Sequence, residues 1–579
     1  MSAFRRPRNL ARVLVAVAAA AATLALVAEP LTAAGTTHYV DPAGSDGAPG
    51  TKAAPWETLQ HAVDNVAPGD TIVVNPGTYA GMRIERSGEP GALITLTAAV
   101  RGTVAIDRPG PNNVHGSNLE VETWDGDGTV HHWVIRNIEV RDAPNAGIDV
   151  RGTATNHSHH IIIRNVKVHH NGVATTKTGI FFAFVDHATV TGANSHHNGE
   201  HGIYLSNSGD HFTIQRNRLH HNERCGLHIN GDLSQGGDGV IADGQIDANR
   251  IEANGVEGCS GINLDGVTDT VISNNVIVEN HATGIAVFQQ DGAVCSRRIT
   301  IVNNTIVQAA DGRWAVTVGT GGCRDLTILN NVLLTRHPWR GAIELPVPSV
   351  SGLHSDHNLV ADRFSTDDGD TSISLAQWRT ATGQDTHSRV AGIDAVFVTG
   401  SYRHIAAGPA EDAGTNVALA HDHDDVARPS GPANDIGAYE TPLCRGQKAT
   451  IVGTRAGDTV VGSWRRDVIA GLGGHDDIRG FGGDDLICGG DGDDHVAGNK
   501  GVDHLRGNGG TDTIRGGDQA DAIYGGKGPD ALWGGDGGDG LWGEGGNDAL
   551  HGGPGTDALD GGVGDDRCFA GESVTACEL

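Results

Sequence analysis

The sequence is poor in aromatic residues and in positive charge. Phe, Trp and Tyr make up only 4% of the 579 residues, and 41 Lys and Arg stand against 71 Asp and Glu, for a formal net charge of −30. Nucleic-acid binding draws its affinity from Lys and Arg on phosphates, so this composition argues against a nucleic-acid partner. The excess of carboxylates favours cation binding instead.

Long apolar runs are missing beyond the N-terminus, which argues against a membrane span in the rest of the chain. At the N-terminus, four arginines precede the apolar run 13–27, and small residues stand just before Gly35. This pattern is typical of a secretory signal peptide, here residues 1–34. A membrane anchor is the alternative, although the run is short and rich in alanine. We therefore expect a secreted, extracellular and monomeric protein.

Familiar catalytic motifs are missing as well. The sequence contains no G-x-S-x-G, no H-E-x-x-H and no Walker loop. Their absence argues against the nucleophile elbow of serine hydrolases, a helical zinc-protease site and a phosphate-binding P-loop.

Glycine, in contrast, is abundant at 86 residues, and it accompanies a repeat. From about residue 130, an apolar strand ends at an asparagine every 23 to 32 residues, and a second strand, mostly headed by glycine, follows. Repeats of short strands and turns are typical of a solenoid whose coils stack. We interpret the asparagines as structural, because stacked side-chain amides can bond along the stack. They are Asn137, Asn165, Asn194, Asn217, Asn249, Asn275, Asn304 and Asn331.

The segment before the repeat predicts a short amphipathic helix, because residues 56–66 place their apolar side chains on one helical face. Together with the asparagine-punctuated coils and the sequence DIGAYE at 435–440, it resembles secreted right-handed parallel β-helix proteins of the pectate-lyase-like kind. The resemblance covers about residues 37–440 and implies an all-β domain, 35–443, whose open end the N-terminal helix caps. That family contains lyases, hydrolases and epimerases, so the resemblance implies a fold and not one reaction.

Eight cysteines, an even number, agree with an oxidising compartment. Two pairs lie one repeat apart, so stacking would bring their members together, and a third pair closes a short C-terminal loop. The expected pairs are Cys225–Cys259, Cys295–Cys323 and Cys568–Cys577.

A second repeat, with a period of nine, begins at Gly453. An aspartate recurs in phase, and an aliphatic residue stands two positions after nearly every one, as in GGDGDDHVA. Glycines allow tight turns, and turn carbonyls and carboxylates are ligands that Ca²⁺ prefers. The predicted metal ligands are Asp458, Asp467, Asp476, Asp485, Asp494, Asp503, Asp512, Asp521, Asp530, Asp539, Asp548, Asp557 and Asp566.

This nonapeptide resembles the calcium-binding β-roll of RTX, or hemolysin-type, proteins, which implies a second domain over residues 444–579 with several bound Ca²⁺ ions. Asn499, Lys500 and Gln519 replace glycines of the consensus, so some sites are expected to be weak. Without Ca²⁺ the stacked aspartates would repel one another, and the segment should stay largely unfolded.

Candidate site residues follow from the alternation of side chains in the β-helix strands. The first and third residues after each glycine are apolar and point inward, so the residues between them must point outward. Tyr204 and His228 then become neighbours on adjacent coils, about 4.8 Å apart. Both side chains suit proton transfer and are our predicted catalytic residues.

The surrounding outward residues are polar and varied, whereas a purely structural ladder would tend to repeat one residue. In the lyases and epimerases that the chain resembles, substrate lies along an outward face, a base removes the proton next to a uronate carboxylate, and a cation, Arg, Asn or Gln neutralises that carboxylate. The predicted substrate or cation contacts are Arg151, Asn230, Asn263 and Asp265.

We therefore expect an enzyme that acts on an acidic extracellular polysaccharide by β-elimination or epimerisation. The alternative is a calcium-stabilised carbohydrate-binding or cell-surface protein without catalysis. Two absences weaken the enzyme hypothesis: the DPH tripeptide of mannuronan epimerases is missing, and few lysines, such as Lys167 and Lys177, lie on the coils.

Histidines provide a rival signal, because they recur at repeat positions between residues 115 and 228. Stacked imidazoles could bind a transition metal, or they could form turn ladders or solvated surface. One predicted column contains His131, His159, His187 and His211, and a second contains His170, His197 and His221.

Overall fold

The computed structural model describes residues 35–123, 129–398, 400–569 and 573–577. The predicted signal peptide lies outside these residues. They divide into two compact units: the first extends to His423 and includes Ala433–Tyr439, and the second comprises Asp424–Pro432 and continues from Glu440. Within the described chain, no helix has the length and apolar character that a membrane crossing requires.

The first unit is built from three long parallel sheets, because each coil adds one strand to each sheet. The strands of sheet 1 are Thr37–Val40, Thr71–Val74, Ile94–Ala98, His131–Arg136, Ser158–Arg164, Val185–Asp186, Thr189–Thr191, Gly209–Asp210, Thr213–Gln215, Ile241–Ala242, Gln245–Asp247, Val267–Ser273, Arg297–Val302, Thr327–Leu329 and His354–Asp356. The strands of sheet 2 are Met82–Ile84, Leu119–Val121, Ile148–Arg151, Ile180–Ala183, Ile203–Ser206, Leu227–Asn230, Ile262–Asp265, Ile285–Phe288, Val316–Val318, Ile343–Glu344 and Phe364–Ser365. The strands of sheet 3 are Gly77–Ala80, Val104–Arg108, Glu139–Arg141, Lys167–His169, Asn194–His196, Arg218–His220, Arg250–Glu252, Val276–Val278, Thr305–Gln308, Val332–Thr335, Leu359–Val360 and Arg389–Val390.

The core of this unit is the stack of inward residues. Along sheet 2 the inward side chains follow in register from coil to coil, as Ile180, Ile203 and Leu227 do, and each of these is fully buried. A continuous apolar column of this kind stabilises the stack by the hydrophobic effect and by close packing. The β-helix predicted from the repeat is therefore confirmed.

Helices are few. The α-helices are Leu59–Asp64, Leu375–Thr382 and Ile393–Val396, and the 3₁₀ segments are Leu233–Gln235 and Val347–Val350. The first helix begins after Thr58, whose hydroxyl accepts a hydrogen bond from the His61 N–H. The amide of Gln60 binds both backbone groups of Arg83, so it pairs with the edge strand of sheet 2. That this helix caps the solenoid stays a prediction.

The predicted asparagine ladder exists, but it begins later in the chain than predicted, at Asn217, and extends one asparagine further, to Asn358. In each rung, the Nδ2 of one asparagine donates to the Oδ1 of the next at 2.9–3.2 Å. This ladder contains Asn217, Asn249, Asn275, Asn304, Asn331 and Asn358. A second ladder contains Asn171, Asn198, Asn222, Asn254 and Asn280.

Three of the predicted asparagines do not join a ladder. Asn137 and Asn165 have φ of 61° and 52°, a left-handed conformation in which their side chains leave the stack. Asn194 lies within a strand of sheet 3 and binds His220 instead. A turn can use asparagine for its left-handed backbone or for its amide, and the sequence pattern is the same for both uses.

The second unit contains two parallel sheets and one hairpin, Leu443–Cys444 with Gln447–Lys448. The strands of sheet 4 are Ile451–Val452, Val468–Gly473, Leu486–Asp491, His504–Gly509, Ala522–Lys527, Gly540–Gly545, Ala558–Asp560 and Ser573–Thr575. The strands of sheet 5 are Thr459–Val461, Asp477–Gly482, His495–Lys500, Thr513–Asp518, Ala531–Asp536, Ala549–His551 and Arg567–Phe569. Successive nonapeptides alternate between the sheets, and their aliphatic residues form one buried core, as predicted for a β-roll.

The three predicted disulfides are confirmed, and they fit an oxidising compartment. A fourth, Cys444–Cys488, was not predicted; it joins the hairpin of the second unit to a strand of sheet 4. The Cα–Cα distances are 4.8 Å for Cys225–Cys259 and for Cys295–Cys323, and 5.9 Å for Cys568–Cys577.

Candidate functional site

The outward row of sheet 2 runs through the predicted catalytic pair. Phe181, Tyr204, His228 and Asn263 are paired in register on four consecutive coils. Sheet 2 has this register because its inward residues are uniformly apolar, and a slip by one residue would expose them. The sequence therefore placed Tyr204 beside His228 correctly.

The two catalytic candidates are in ring contact. The ring centroids of Tyr204 and His228 are 4.7 Å apart with a tilt of 44°, and both side chains are half-buried. Phe181 contacts the other side of Tyr204 at 5.3 Å. The side-chain amide of Asn263 lies 2.9 Å from Nδ1 of His228. An amide can offer either its N–H or its carbonyl to this nitrogen; when the carbonyl accepts the proton of Nδ1, Nε2 keeps a free lone pair and is the ring nitrogen that can accept a proton.

Burial sets the protonation state of both groups. Desolvation, with a smaller contribution from the positive charge of Arg224, lowers the pKa of His228 to about 4, so its imidazole is neutral at pH 7. Desolvation raises the pKa of Tyr204 above its usual value of 10, and hydrogen bonds to Ser206 and Asn230 only partly offset this. At neutral pH the row thus presents a neutral imidazole that can accept a proton and a phenol that can donate one.

Unpartnered polar atoms flank this pair. In the described chain, Nδ2 of Asn207 and Oδ1 of Asn230 are buried without a hydrogen-bond partner. Ser206 and Asn230 are paired in register on the coils of Tyr204 and His228, and Asn207 directly follows Ser206. One donor and one acceptor are therefore unpaired near this row, and a substrate hydroxyl, which can both accept and donate a hydrogen bond, could satisfy both.

Arg151 is positioned at the end of the row by two contacts. Its Nε and Nη2 donate to Asp149 at 2.8 and 3.1 Å, and its guanidinium lies 4.9 Å from the centre of the Phe181 ring. Asp149 is itself buried and accepts a hydrogen bond from Ser117. The pair with Asp149 uses two of the guanidinium nitrogens and leaves Nη1 for a further acceptor.

Asp265 lies in register with Asn230 but is committed to its own loop. Its two oxygens accept hydrogen bonds from the backbone N–H groups of Gln290, Asp291 and Gly292 at 2.7–3.2 Å. A carboxylate with three backbone donors orders the loop that follows the strand 285–288. The predicted contact of Asp265 with substrate or a cation stays a prediction, but the structure gives this side chain another partner.

Sequence reasoning missed two residues of this site. His201 stacks on His228 with ring centroids 4.7 Å apart, is buried, and accepts a hydrogen bond from the Cys225 N–H. It precedes the strand, where alternation makes no prediction. Asn207 was missed for a similar reason, since it follows the strand in a left-handed conformation with φ of 75°. No repeat signal in the sequence marks either position.

The predicted calcium ligands form two ladders in the second unit. The backbone N–H of each aspartate donates to Oδ1 of the aspartate 18 residues later, at 2.7–2.9 Å. The second oxygen, Oδ2, is buried without a hydrogen-bond partner in Asp476, Asp485, Asp494, Asp503, Asp512, Asp521, Asp530, Asp539, Asp548 and Asp566. An acceptor buried in this way is costly unless a cation or a proton meets it.

The pKa values report the same cost. Burial is the largest cause and neighbouring carboxylates add to it for most members, so the pKa rises to about 7 for Asp494, Asp521 and Asp530. It rises to about 6 for Asp485 and Asp512. A divalent cation would remove the repulsion that these values reflect, so the orphaned oxygens fit Ca²⁺.

The first rungs of the two ladders differ from the others. The hydroxyl and N–H of Thr454 donate to Oδ2 of Asp458, and those of Ser463 donate to Oδ2 of Asp467. These two carboxylates are thus already satisfied by the protein. Among the substituted glycines, Asn499 and Gln519 adopt φ of 75° and 82°, which strains a residue with a side chain.

The first predicted histidine column is correct for the stacked pairs His131–His159 and His187–His211, and wrong at the step from His159 to His187. His159 pairs in register with His131 and with Asp186, not with His187. The stacked column is instead His132, His160, His187 and His211, with ring centroids 4.4–4.8 Å apart. Each of its members has a left-handed backbone conformation, with φ of 52–61°. The second column, with His170, His197 and His221, is stacked as predicted.

Comparisons with known proteins agree with this architecture. Residues 38–313 match the family described as Pel9A-like, right handed beta helix region. Residues 461–496, 497–532 and 533–568 match the RTX calcium-binding nonapeptide repeat.

Two curated relatives are similar over shorter stretches. A pectate lyase, PEL9, of Emericella nidulans is 33% identical over 139 residues, which cover 22% of this chain and 33% of the relative. The uncharacterized protein YwoF of Bacillus subtilis is 31% identical over 142 residues, which cover 24% of this chain and 29% of the relative. The chain thus spans about a third of the length of these relatives. Among solved structures, pectate lyase Pel9A has 20% identity and a TM-score of 0.45, covering 71% of this chain and 97% of that one.

Proposed function

We propose that this chain, which joins a Pel9A-like right-handed β-helix region to RTX calcium-binding nonapeptide repeats, is a secreted enzyme that acts on an acidic extracellular polysaccharide. The similarity to a pectate lyase, a protein named for its action on a uronate polymer, supports the substrate class. The reaction that fits the row of sheet 2 is β-elimination or epimerisation, since both begin by removing the proton next to a uronate carboxylate.

The observation that carries the proposal is the Tyr204–His228 contact beside unpartnered amide atoms. A neutral imidazole and a protonated phenol stand 4.7 Å apart on one outward row. Groups with perturbed pKa values beside unsatisfied hydrogen-bonding atoms are typical of sites that bind and convert a substrate. A solvated scaffold surface would leave such atoms to water.

In β-elimination, His228 would accept the proton from the carbon next to the carboxylate, and the glycosidic C–O bond at the neighbouring carbon would break. Tyr204 would give its proton to the departing oxygen, and a C=C bond would remain in the product. Nη1 of Arg151 can bind the carboxylate, and the amides of Asn207 and Asn230 can bind sugar hydroxyls. In epimerisation, Tyr204 would instead give its phenol proton to the opposite face of the same carbon, its O–H bond would break as the new C–H bond forms, and the glycosidic C–O bond would stay intact.

Calcium belongs to the second unit in this proposal. The orphaned carboxylate oxygens of the aspartate ladders would hold it, and bound Ca²⁺ supplies positive charge that lets the roll fold at neutral pH. No step of the sugar chemistry depends on these ladders.

A non-catalytic carbohydrate-binding protein is the second candidate. The pairing of Arg151 with Asp149 favours it, because this pairing reduces the positive charge available to a substrate carboxylate, and the backbone donors of Asp265 reduce its capacity to hold a cation. The two candidates differ in whether uronate polymers are turned over or only bound.

The test is an assay of the full chain on polygalacturonate and alginate with Ca²⁺ present. Ultraviolet absorbance of unsaturated products detects the lyase, and exchange of the sugar proton with deuterated water detects the epimerase. Tyr204→Phe and His228→Ala should each lower kcat/KM by about 10²–10⁴-fold, the usual contribution of proton transfer. The rate should rise with pH through about 4 as His228 loses its proton.

Two control variants distinguish the loss of a catalytic group from the loss of the fold. Tyr524→Phe removes a phenol hydroxyl from the second unit and should leave the rate unchanged. Ile203→Asp, one residue before Tyr204 and fully buried, should instead unfold its coil. Turnover at the wild-type rate in both Tyr204→Phe and His228→Ala would refute the site. Saturable binding of the polymers without turnover would favour the second candidate.

A further inference from the structure

Two adjacent histidine dipeptides stand in the same place on neighbouring coils of sheet 1, away from the row of sheet 2. His131 and His132 open one strand, and His159 and His160 lie in the next. Within each dipeptide the two Nδ1 atoms are 2.9 Å apart, so one ring N–H donates to the lone pair of the other. Each dipeptide thus brings two imidazole nitrogens close together, and the dipeptides His169–His170, His196–His197 and His220–His221 do the same at 2.7–2.9 Å.

The turn itself does not require histidine. His132, His160, His187 and His211 have φ of 52–61°, and the same turn on the following coils is made by Asp243, Asp269, Arg298 and Asp325 with φ of 51–57°. A left-handed turn accepts Asn, Asp, His or Gly, so the turn permits histidine at these four positions without requiring it.

A groove of about 430 Å³ lies over this column. Its lining includes His132, His160, His187, His211, Thr189 and Thr213. The imidazoles therefore face an opening that small molecules and ions can reach, and are not simply packed between coils.

We propose that His132, His159 and His160 bind one divalent transition-metal ion of the Zn²⁺ class, with an open coordination position facing the groove. The ligand nitrogens of these three side chains all lie within 4.8 Å of one another. Two imidazoles on one tetrahedral ion have their nitrogens about 3.3 Å apart at Zn–N distances of ~2.0–2.1 Å, so His159 and His160 need to separate by about 0.4 Å once the metal replaces their shared proton, while His132 moves toward them.

Electrostatics agree with this assignment. Burial and the neighbouring histidines lower the pKa of His132, of His159 and of His160, the last to about 4. A metal can bind imidazole only when the binding nitrogen carries no proton, and these rings are neutral at pH 7. Three nitrogen ligands with a fourth position open is the arrangement of metal sites that also bind a further molecule.

The test measures metal binding directly. Zn²⁺ is titrated calorimetrically into the full chain in saturating Ca²⁺, which keeps the aspartate ladders filled, and Co²⁺ then reports tetrahedral geometry through its visible absorption. About one ion per chain is expected. His132→Asn with His160→Asn should weaken Zn²⁺ binding by at least the roughly tenfold loss that even a second-shell change causes, and His160→Asn alone, at an exposed position, should weaken it without disturbing the fold.

Two variants serve as matched controls. Asp325→Asn makes the same kind of change at the same turn of another coil and should bind Zn²⁺ like the wild type. His170→Asn with His197→Asn changes the other stacked column and should also leave binding intact. The proposal is overturned if the chain binds no Zn²⁺, if His132→Asn with His160→Asn leaves binding unchanged, or if only the His170 and His197 changes remove it.

Discussion

The two units use the same ladder geometry with different side chains. In the β-helix, Oδ1 of each ladder asparagine accepts from the previous coil, and its Nδ2 donates to the next Oδ1 and to a backbone carbonyl, as Asn275 does with Asn304 and Ile246. In the β-roll, Oδ1 of each aspartate also accepts from the previous rung, but a carboxylate has no N–H to donate. The second oxygen is left over.

The two ladders therefore differ in one side-chain atom. The Nδ2 of asparagine finds an acceptor within the protein, whereas the Oδ2 of aspartate needs a cation or a proton. The amide ladder satisfies its donors and acceptors within the protein, so it stabilises the coils under any ionic condition. The carboxylate ladder buries unpaired acceptors and like charges, and only a proton or a cation completes it. The β-helix is thus expected to be stable by itself, whereas the β-roll is expected to fold at neutral pH only when calcium is bound.

The largest loss of stability should come from placing an aspartate in the asparagine ladder of the β-helix. Asn304→Asp removes the donor to Ile272, Val302 and Asn331 at a fully buried position and leaves an uncompensated charge. The free energy of unfolding should fall by about 3–5 kcal/mol, as when a buried charge loses its partner. The midpoint of urea unfolding, followed by the fluorescence of the buried tryptophans, measures this.

Asn137→Asp is the matched control for this change. Asn137 lies outside the ladder in a left-handed turn that aspartate also adopts, so its replacement should cost no more than about 1 kcal/mol. Equal losses at the two positions would refute the distinction between ladder and turn asparagines.

Acid should act on the two units in opposite directions. Burial lowers the pKa of His196 to about 3 and of His220 to about 4, from 6.5, so the folded β-helix binds fewer protons than the unfolded chain between these values. Its stability should fall as the pH drops below 6.5. Carboxylates raise the pKa of His115 and of His157, but these two oppose a larger set of lowered values.

In the calcium-free β-roll the sign is reversed. The aspartate pKa values are raised from 3.8 to about 6–7, so the folded roll binds more protons than the unfolded chain. Its stability should be greatest below pH 3.8 and should be lost as the pH rises through 6–7. Melting curves in chelator at several pH values from 4.5 up to about 6 should show two transitions that move in opposite directions, and the transition of the roll should be absent at pH 7.5. Transitions that move together would contradict the comparison.

A smaller change in stability is expected when asparagines are placed in the aspartate ladder of the β-roll. Asp494→Asn, Asp512→Asn and Asp530→Asn together convert three consecutive rungs to the chemistry of the β-helix. Each new N–H can donate to the next oxygen, so the roll should gain stability in chelator while its calcium affinity falls severalfold. Circular dichroism during a calcium titration measures both quantities. Asp518→Asn, an exposed aspartate outside the ladder, should leave both unchanged.

The repeat made much of this architecture predictable. Inward apolar residues after each glycine fixed the register of sheet 2, and the register placed Tyr204 beside His228. The period of nine fixed the phase of every ladder aspartate in the same way. Both predictions rest on many residues that agree on one register. A shift of that register by one residue would have exposed a whole row of apolar side chains.

Predictions from single turn residues were weaker. Asn137 and Asn217 both end an apolar strand, yet one adopts a left-handed backbone and the other joins the ladder. The predicted histidine column breaks between His159 and His187 because Asp186, and not His187, pairs in register with His159. The partners of Asp265 are backbone N–H groups of a distant loop, which no side-chain pattern records, whereas the Arg151–Asp149 pair could have been found, since residues two apart in a strand share one face.

Hydrogen exchange of the full chain with and without Ca²⁺ tests the central claim most directly. At pH 7.5, adding chelator should remove protection from the roll strands between Val468 and Asp560, while the strand Ile203–Ser206 and its neighbours in sheet 2 keep theirs. Restoring Ca²⁺ should restore protection in the roll. A roll that stays protected in chelator would show that its carboxylate ladders are complete without a cation, and it would contradict the account.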